Sequence, residues 1–461
     1  MDIVVKIAQL VLALSLLVLI HEMGHFLFAR LFKIRVDKFY LFFNPSFSVV
    51  RTKKFNGKWN FSFFSSAPPV EWEQYPENTE YGVGWLPMGG YCKIAGMIDE
   101  SMDKEQMKEP PQSWEFRTKA AWKRLLVMVG GVLFNIIFGF LVYAGILYTW
   151  GDTYLANDDV VYGVQASSLA QEMGFRNGDK ILYLDDEKVA RFSDIQMTMM
   201  RNRSEKVTIL RENDTLSLTI DEKFLPMMLR DTELLFDIRT PFVIESIPDT
   251  SHNVRSGLQE GDRIVGIDSI PMYIVQDIQE ALQIKKNKMI MASVLRGEDT
   301  LQIPLSIDAD GKVGISLQSL DHHFDLTTQE YGFLTAVPAG IKKGAQTIRN
   351  YWKELGLIFS PKTEAYKNVG SFITIGKIFP SDWDWFRFWN ITAFLSIMLA
   401  VLNVLPIPAL DGGHIVFVVY EMITGRKPSD KILEYAQVVG MFIILAIMVL
   451  AFGNDIYRLF K

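Results

Sequence analysis

Four long apolar runs, Ile3–Phe28, Leu125–Trp150, Trp389–Leu405 and Val438–Phe452, interrupt a chain that is otherwise mixed, and charges recur throughout Asp152–Asp325. A bilayer core needs roughly 20 apolar residues of helix to cross it, so the pattern predicts about four membrane-spanning helices with a large polar insert between the second and third. The hydrophobic content of 49% does not decide this, because soluble chains reach the same value. What decides is the clustering. The first run lacks a small-residue cleavage site and is expected to be a retained span, not a removable signal.

Between the first two runs the period changes from helix to strand. Phe47–Phe55 and Lys58–Phe64 flank Asn56-Gly57, and Asn-Gly between β-type runs predicts a tight hairpin because both residues tolerate positive φ. A further strand is expected over Gly84–Ile94. Phe42, Phe43, Phe61, Phe63, Phe64 and Trp85 make the region apolar enough to dip into the membrane interface. It reads either as a small cytoplasmic β-subdomain or as an edge that accepts a substrate backbone by β-addition. The basic, amphipathic stretch Trp114–Arg124 leads into the second span, where Gly130 and Gly131 permit close helix packing and Asn135, a polar group that needs a partner in the membrane, reads either as an interhelical hydrogen bond or as a catalytic residue.

The insert repeats itself. Gly174-Phe-Arg-Asn-Gly178-Asp179-Lys-Ile-Leu recurs as Gly257-Leu-Gln-Glu-Gly261-Asp262-Arg-Ile-Val, and Asp194-Ile-Gln196 recurs as Asp277-Ile-Gln279, each at an offset of 83 residues. Two agreeing offsets indicate a duplicated domain. Each copy carries strand, turn and helix signals and resembles a PDZ domain, a peptide-binding module in which no chemistry is expected. His252, His322 and His323 are expected to be surface histidines. Beyond the insert, Tyr331–Ser360 alternates apolar residues with Lys342, Lys343, Arg349 and Lys353, as in a helix lying on a membrane surface.

The resulting organisation is a first span at 1–33, a cytoplasmic, interface-dipping β region at 34–113, a second span at 114–151, PDZ-like copies at 152–230 and 231–320, a linker with an amphipathic helix at 321–388, and the third and fourth spans at 389–461. Lys and Arg are dense after the first span (Arg30, Lys33, Arg35, Lys38, then Arg117, Lys119, Lys123, Arg124), which puts the β region in the cytoplasm and the insert outside it. Arg458 and Lys461 pull mildly the other way. The net charge of -6 with dispersed cations shows no basic stripe for nucleic acid. A single cysteine, Cys92, excludes an internal disulfide.

Candidate chemistry lies inside the first span, at Ile20-His21-Glu22-Met23-Gly24-His25. On a helix, His21 and His25 share one face a turn apart and suit a single Zn²⁺, with Glu22 placed to act on the metal's water. An ionised side chain costs about 2.5–3.5 kcal/mol at the bilayer centre, a cost that metal ligation offsets. A third protein ligand is required, and Asp411 and His414 after the third span are the side chains placed to supply it. Asp411 is preferred, because Pro406 and Pro408 break the helix while Gly412 and Gly413 free the backbone to present a carboxylate.

Together, His21-Glu22-Met-Gly-His25, the tandem PDZ-like copies and Asn403-x-x-Pro406-x-Pro408-x-Leu410-Asp411-Gly412 resemble the site-2 protease family, in particular its bacterial regulator of sigma-E protease type. The resemblance covers essentially the whole chain. It implies an intramembrane zinc metalloprotease of the bacterial inner (cytoplasmic) membrane that cleaves a single-pass transmembrane protein, such as an anti-sigma factor or remnant signal peptide, after another protease has trimmed its outer domain. His21, His25 and Asp411 then correspond to zinc ligands and Glu22 to the catalytic base. Asn403, Pro406 and Pro408 correspond to substrate-holding positions, and Gly89 and Gly90 fall in the membrane-re-entrant β-element. Two departures are Gly131-Val132 and Gly370-Ser371, where the family usually has Gly-Pro. The alternative is a PDZ-containing membrane adaptor with a structural metal site.

Overall fold

The structure, a computed structural model, describes residues 2–97, 110–230 and 233–460, so residues 98–109 of the expected β region and the expected 230/231 junction between the copies lie wholly or partly outside the described residues. These form two compact units, one of residues 1–151, 330–359 and 366–461, the other of 152–329 and 360–365.

In the first unit α1 (Asp2–Leu31) and α2 (Ala121–Trp150) precede the insert, and α3 (Phe333–Ile358), α4 (Phe372–Ile378), α5 (Trp385–Val404), α6 (Asp411–Thr424) and α7 (Asp430–Leu459) follow it. Four of the described helices, at Ile3–Leu31, Ala121–Trp150, Trp385–Val404 and Lys431–Arg458, are long and apolar enough to cross a membrane. At about 1.5 Å per residue the 20 residues of α5 measure about 30 Å, the thickness of the hydrocarbon core. Leu405, extended in front of Pro406, ends α5 as a residue before proline must.

Helix α2 is the hub against which α1, α3, α5 and α6 pack. Lipid is as apolar as leucine, so helix association in a bilayer depends on close packing at small residues. A Cβ on Gly130 would stand 2.7 Å from the Gly24 carbonyl oxygen of α1, and one on Gly139 would stand 2.8 Å from Ile397 of α5. The helix expected on the membrane surface, α3, runs antiparallel along α2, with Gly340 against the Ala144 backbone, Gly344 against the Phe140 ring and Phe333 edge-on to Tyr148. Its alternating pattern marks an amphipathic helix; one side meets α2, while Phe333, Leu334, Ile341 and Trp352 stay exposed.

The fourth span is fixed near its end by a carboxylate. Asp455 of α7 accepts hydrogen bonds from Ser371 N at 2.9 Å, Ser371 Oγ at 2.6 Å and Thr374 Oγ1 at 2.5 Å, closing the first turn of α4. Here the Gly370-Ser371 departure acquires a physical consequence, because proline at 371 would have neither the N–H nor the hydroxyl.

The sheet comprises β1 (Val36–Phe55), β2 (Lys58–Ser65) and β3 (Glu80–Ile94) in the order β2-β1-β3. Asn56 and Gly57 make the turn with φ of 52° and 74°. Both long strands double back. Phe39 pairs with Tyr81 and with Cys92, and Val50 pairs with Phe63 and with Val83. The outer rows are therefore β2 and Gly90–Ile94. The second of these lies along α1, where a Cβ on Gly90 would stand 3.1 Å from Val18, one turn before His21. On β2, Trp59, Phe61 and Phe63 share one face and are exposed.

In the second unit the duplication is explicit. One four-stranded antiparallel sheet orders its strands Glu187–Lys188, Lys180–Leu184, Lys206–Arg211 and Asp214–Thr219; the other orders Ile270–Pro271, Arg263–Ile267, Met289–Arg296 and Asp299–Ser306 in the same way. The repeated aspartates do the same work in both copies. Asp179 accepts from Arg176 N and takes a two-pronged bond from Arg211, each contact 2.8 Å, while Asp262 accepts from Gln259 N at 2.8 Å and from Arg296 Nε and Nη2 at 2.7 Å. The same arginines donate to the Gly174 and Gly257 carbonyls, tying the glycine turn to the far strand.

This bond has a testable asymmetry. Asp262 is 1% exposed and Arg296 32%. Arg296→Ala strands a buried carboxylate, whereas Asp262→Ala leaves a guanidinium that water reaches, so Arg296→Ala is expected to lower the unfolding temperature of the insert by several degrees more. Burial pushes the Asp262 carboxyl up, and the Arg296 and Gln259 donors outweigh it and hold it below the usual range. The unfolded chain then binds the proton more readily, so this contribution is present above about pH 4 and lost as pH falls further. Calorimetry of the purified protein between pH 3 and 7 checks both the order of the variants and the acid loss.

Candidate metal centre

His21 and His25 are presented by α1 one turn apart and are 8% and 6% exposed. Asp411 arrives from the other end of the chain as the first residue of α6. Its turn is built by close contacts: a Cβ on Gly412 would overlap the Leu405 carbonyl, and one on Gly413 would stand 2.6 Å from Pro408 Cα. Ala409 has φ of 81°, a left-handed conformation unusual for alanine, so the turn that presents Asp411 is held by its surroundings. Gly440 of α7 packs its backbone on the Pro408 carbonyl and contributes to that hold.

The three side chains meet at one point. Asp411 Oδ2 is 3.1 Å from His21 Nε2 and 3.3 Å from His25 Nε2, and the two nitrogens are 3.2 Å apart. His25 Nδ1 is 2.8 Å from the Val127 carbonyl of α2, which can only accept, so Nδ1 carries a proton and, in the neutral ring that ligates a metal, Nε2 presents a lone pair. A bare nitrogen facing a carboxylate oxygen repels it unless a cation lies between them. Ligands about 2.0–2.1 Å from a tetrahedral Zn²⁺ stand about 3.3 Å from one another, and the observed triangle matches that spacing. The donor set, two imidazoles and a carboxylate, is also one that zinc accepts.

Helix α2 makes room for the rings. A Cβ on Gly131 would stand 2.5 Å from His25 Nε2 and 2.6 Å from His21 Cε1. On either side of Gly131 by four residues lie Val127, whose carbonyl faces His25, and Asn135, whose amide is 3.3 Å from His21 Nδ1. The hydrogen bond expected of Asn135 is thus interhelical, and its partner is His21.

Glu22 is half-buried on α1 beside this group. Asn403, at the end of α5, brings its amide to 3.5 Å from His21 Nε2. Pro406 is exposed, while Pro408 is half-buried beneath α7. Gly89 and Gly90 are on β3, Gly90 against Val18. His414 lines a separate pocket with Gly96, Arg117, Phe417 and Gln437, so that among the described residues Asp411 joins the two histidines. Of the remaining histidines, His252 bonds the Ser306 carbonyl and His322 is exposed. Sequence reasoning passed over Val127, since a backbone carbonyl has no residue signature. The usable signal was the spacing 127, 131, 135 on α2, which matches the i, i+4 spacing of the histidines.

Comparison with known proteins extends over nearly the full length of the chain. The sequence model of peptidase family M50 matches residues 9–447. The regulator of sigma E protease of Haemophilus influenzae is 26% identical over 485 residues, covering 98% of this chain and 99% of that protein. A protein of Rickettsia conorii named as a candidate zinc metalloprotease is 26% identical over 456 residues, with 99% of each chain covered. One from Vibrio cholerae, named in the same way, is 27% identical over 492 residues, covering 99% of this chain and 100% of that protein. A match that takes in both the first-span histidines and the distant Asp411 places the chain in peptidase family M50, and it is a zinc metalloprotease of the site-2 type.

Proposed function

We propose that His21, His25 and Asp411 hold one Zn²⁺, that Glu22 is the general base, and that the protein hydrolyses a peptide bond in or near the transmembrane segment of a single-pass membrane protein after a first protease has trimmed its outer domain. The observation that carries this reading is the triangle of three lone-pair atoms with sides of 3.1, 3.2 and 3.3 Å. Bound zinc supplies a Lewis acid that brings a water's pKa to about 7 and polarises the scissile carbonyl. Glu22 would accept a proton from the attacking water and return it to the leaving amine. A helical substrate hides its carbonyls in its own hydrogen bonds and must first unwind. The row beginning at Gly89 and Gly90 is an outer row of the sheet, suited to hold an unwound stretch by backbone pairing, and Asn403, Pro406 and Pro408 are read as further substrate-holding positions. The two copies of the insert are read as PDZ-like domains outside the cytoplasm, in a bacterial inner-membrane protein. An adaptor with a structural site is disfavoured, because structural zinc is closed by four protein ligands and the described residues bring together three.

Glu22→Gln is expected to keep zinc and to lose about 10²–10⁴-fold in turnover of a reconstituted single-span substrate lacking its outer domain. Asp411→Ala is expected to lose activity together with zinc; full zinc occupancy in that variant would remove Asp411 from the ligand set.

Gly131→Ala forces a methyl group onto both rings from a rigid helix, so zinc affinity measured against a competing chelator is expected to fall at least tenfold. Gly145→Ala on the same helix, where a Cβ meets nothing within 4 Å, is expected to be neutral.

Orientation is tested by Ser217→Cys, at an exposed position of the insert, in a Cys92→Ala background. Spheroplasts are expected to be labelled by an impermeant maleimide without lysis. Labelling only after lysis would invert the topology.

A further inference from the structure

We infer that Asn135 is a positioning residue whose carboxamide oxygen accepts the Nδ1–H of His21, fixing the ring in the tautomer that leaves Nε2 free for the metal. The inference rests on the reading of His21, His25 and Asp411 as a zinc centre. A neutral imidazole has one N–H and one lone pair. If Nε2 of His21, which is 3.1 Å from Asp411 Oδ2 and 3.2 Å from His25 Nε2, gives its lone pair to a cation, Nδ1 must carry the hydrogen and needs an acceptor. In the apolar interior of a helix bundle such a donor left alone is destabilising.

The polar side chain facing Nδ1 is Asn135. It is fully buried at 0% exposure, its Nδ2 stands 3.3 Å from His21 Nδ1, and its Oδ1 is buried with no hydrogen-bond partner among the described residues. With Nδ2 turned to Nδ1, the amide would donate to a lone pair there and select the Nε2–H form, which leaves Nε2 no lone pair for a cation. A half-turn of the carboxamide exchanges its two ends. It places the unpaired Oδ1 on the Nδ1–H. His25 provides the parallel, because its Nδ1 is 2.8 Å from the Val127 carbonyl on the same helix. Val127 and Asn135 lie four residues to either side of Gly131, so one stripe of α2 makes space for both rings and sets both tautomers. The Asn135 backbone is itself tied to α5, since its carbonyl accepts from Ser396 Oγ at 2.8 Å.

The test compares zinc affinity, by chelator competition, and the visible spectrum of the Co²⁺-substituted protein for wild type, Asn135→Leu, Asn135→Asp, Ser396→Ala and His21→Ala. Outer partners of ligating histidines are commonly worth 10–100-fold in metal affinity. Asn135→Leu keeps the size and removes the acceptor, so it is expected to lose roughly that much, to show altered Co²⁺ bands, and to regain most of its kcat at saturating zinc with KM unchanged. Asn135→Asp keeps an acceptor oxygen and is expected to retain wild-type affinity and bands. Ser396→Ala loosens the same helix contact without reaching His21 and is expected to bind zinc normally. The inference is overturned if Asn135→Leu binds zinc like wild type while kcat stays low at saturating zinc, which would put Asn135 on the reacting atoms. It is also overturned if Asn135→Asp loses affinity as Asn135→Leu does, or if Ser396→Ala does so, which would make the effect one of packing. Wild-type zinc affinity in His21→Ala would instead sink the metal-centre reading, whatever the Asn135 variants do.

Discussion

Three lone pairs directed at one point inside a bundle of apolar helices form an arrangement that does not hold itself together. His21 Nε2, His25 Nε2 and Asp411 Oδ2 lie within 3.3 Å of one another, and without a cation each would repel the others. The surrounding structure supplies the restraint. Gly24 and Gly130 bring α1 and α2 into backbone contact, Gly131 clears the volume that the rings occupy, and the packed turn from Leu405 to Gly413 aims the carboxylate. The centre is thus prepaid by packing among small residues, the contribution that remains available when lipid removes the hydrophobic drive for helix association.

The sequence discloses local features well and long-range ones poorly. HExxH, the four apolar runs and Asn56-Gly57 are governed by period and turn chemistry, and the helices and the hairpin form where those rules put them. The doubling of β1 turns on positive φ at Phe42 and Ser46, and its signal, Asn44-Pro45, is masked by the aromatic residues on either side, which continue the strand pattern. The arginine partners of the repeated aspartates are hidden for a different reason. Asp179 and Asp262 are 83 residues apart, but Arg211 and Arg296 are 85 apart, since the strand that ends in Arg296 is two residues longer. A fixed-offset comparison finds the aspartates and steps past the arginines. Asp455, near the end of a span, looks like an ordinary flanking charge until Ser371 and Thr374 appear across from it.

Asp411 was reachable from sequence because a helix ending in Pro406 and Pro408 and restarting at Asp-Gly-Gly has few uses at membrane depth. The choice between Asp411 and His414 is a matter of helix phase. Three residues separate them on α6, nearly a full turn, yet Asp411 occupies the first position, where the chain still follows the strained turn at Ala409, and His414 belongs to the regular helix and lines another pocket.

The spacing of α1 and α2 carries the argument one step further. Two imidazoles at i and i+4 on one helix need two Nδ1 acceptors, and an antiparallel neighbour meets them in reverse order: His25 opposite Val127, His21 opposite Asn135. Between those positions the neighbour must give up its side chain, and it does so at Gly131. The two acceptors are unequal in kind. Val127 contributes a backbone carbonyl freed for a second bond, which any residue at 127 preserves, whereas at 135 only a side chain reaches the ring. In a stretch otherwise apolar from Leu125 to Val142, that accounts for a carboxamide at 135, where an aliphatic side chain would cost less to bury.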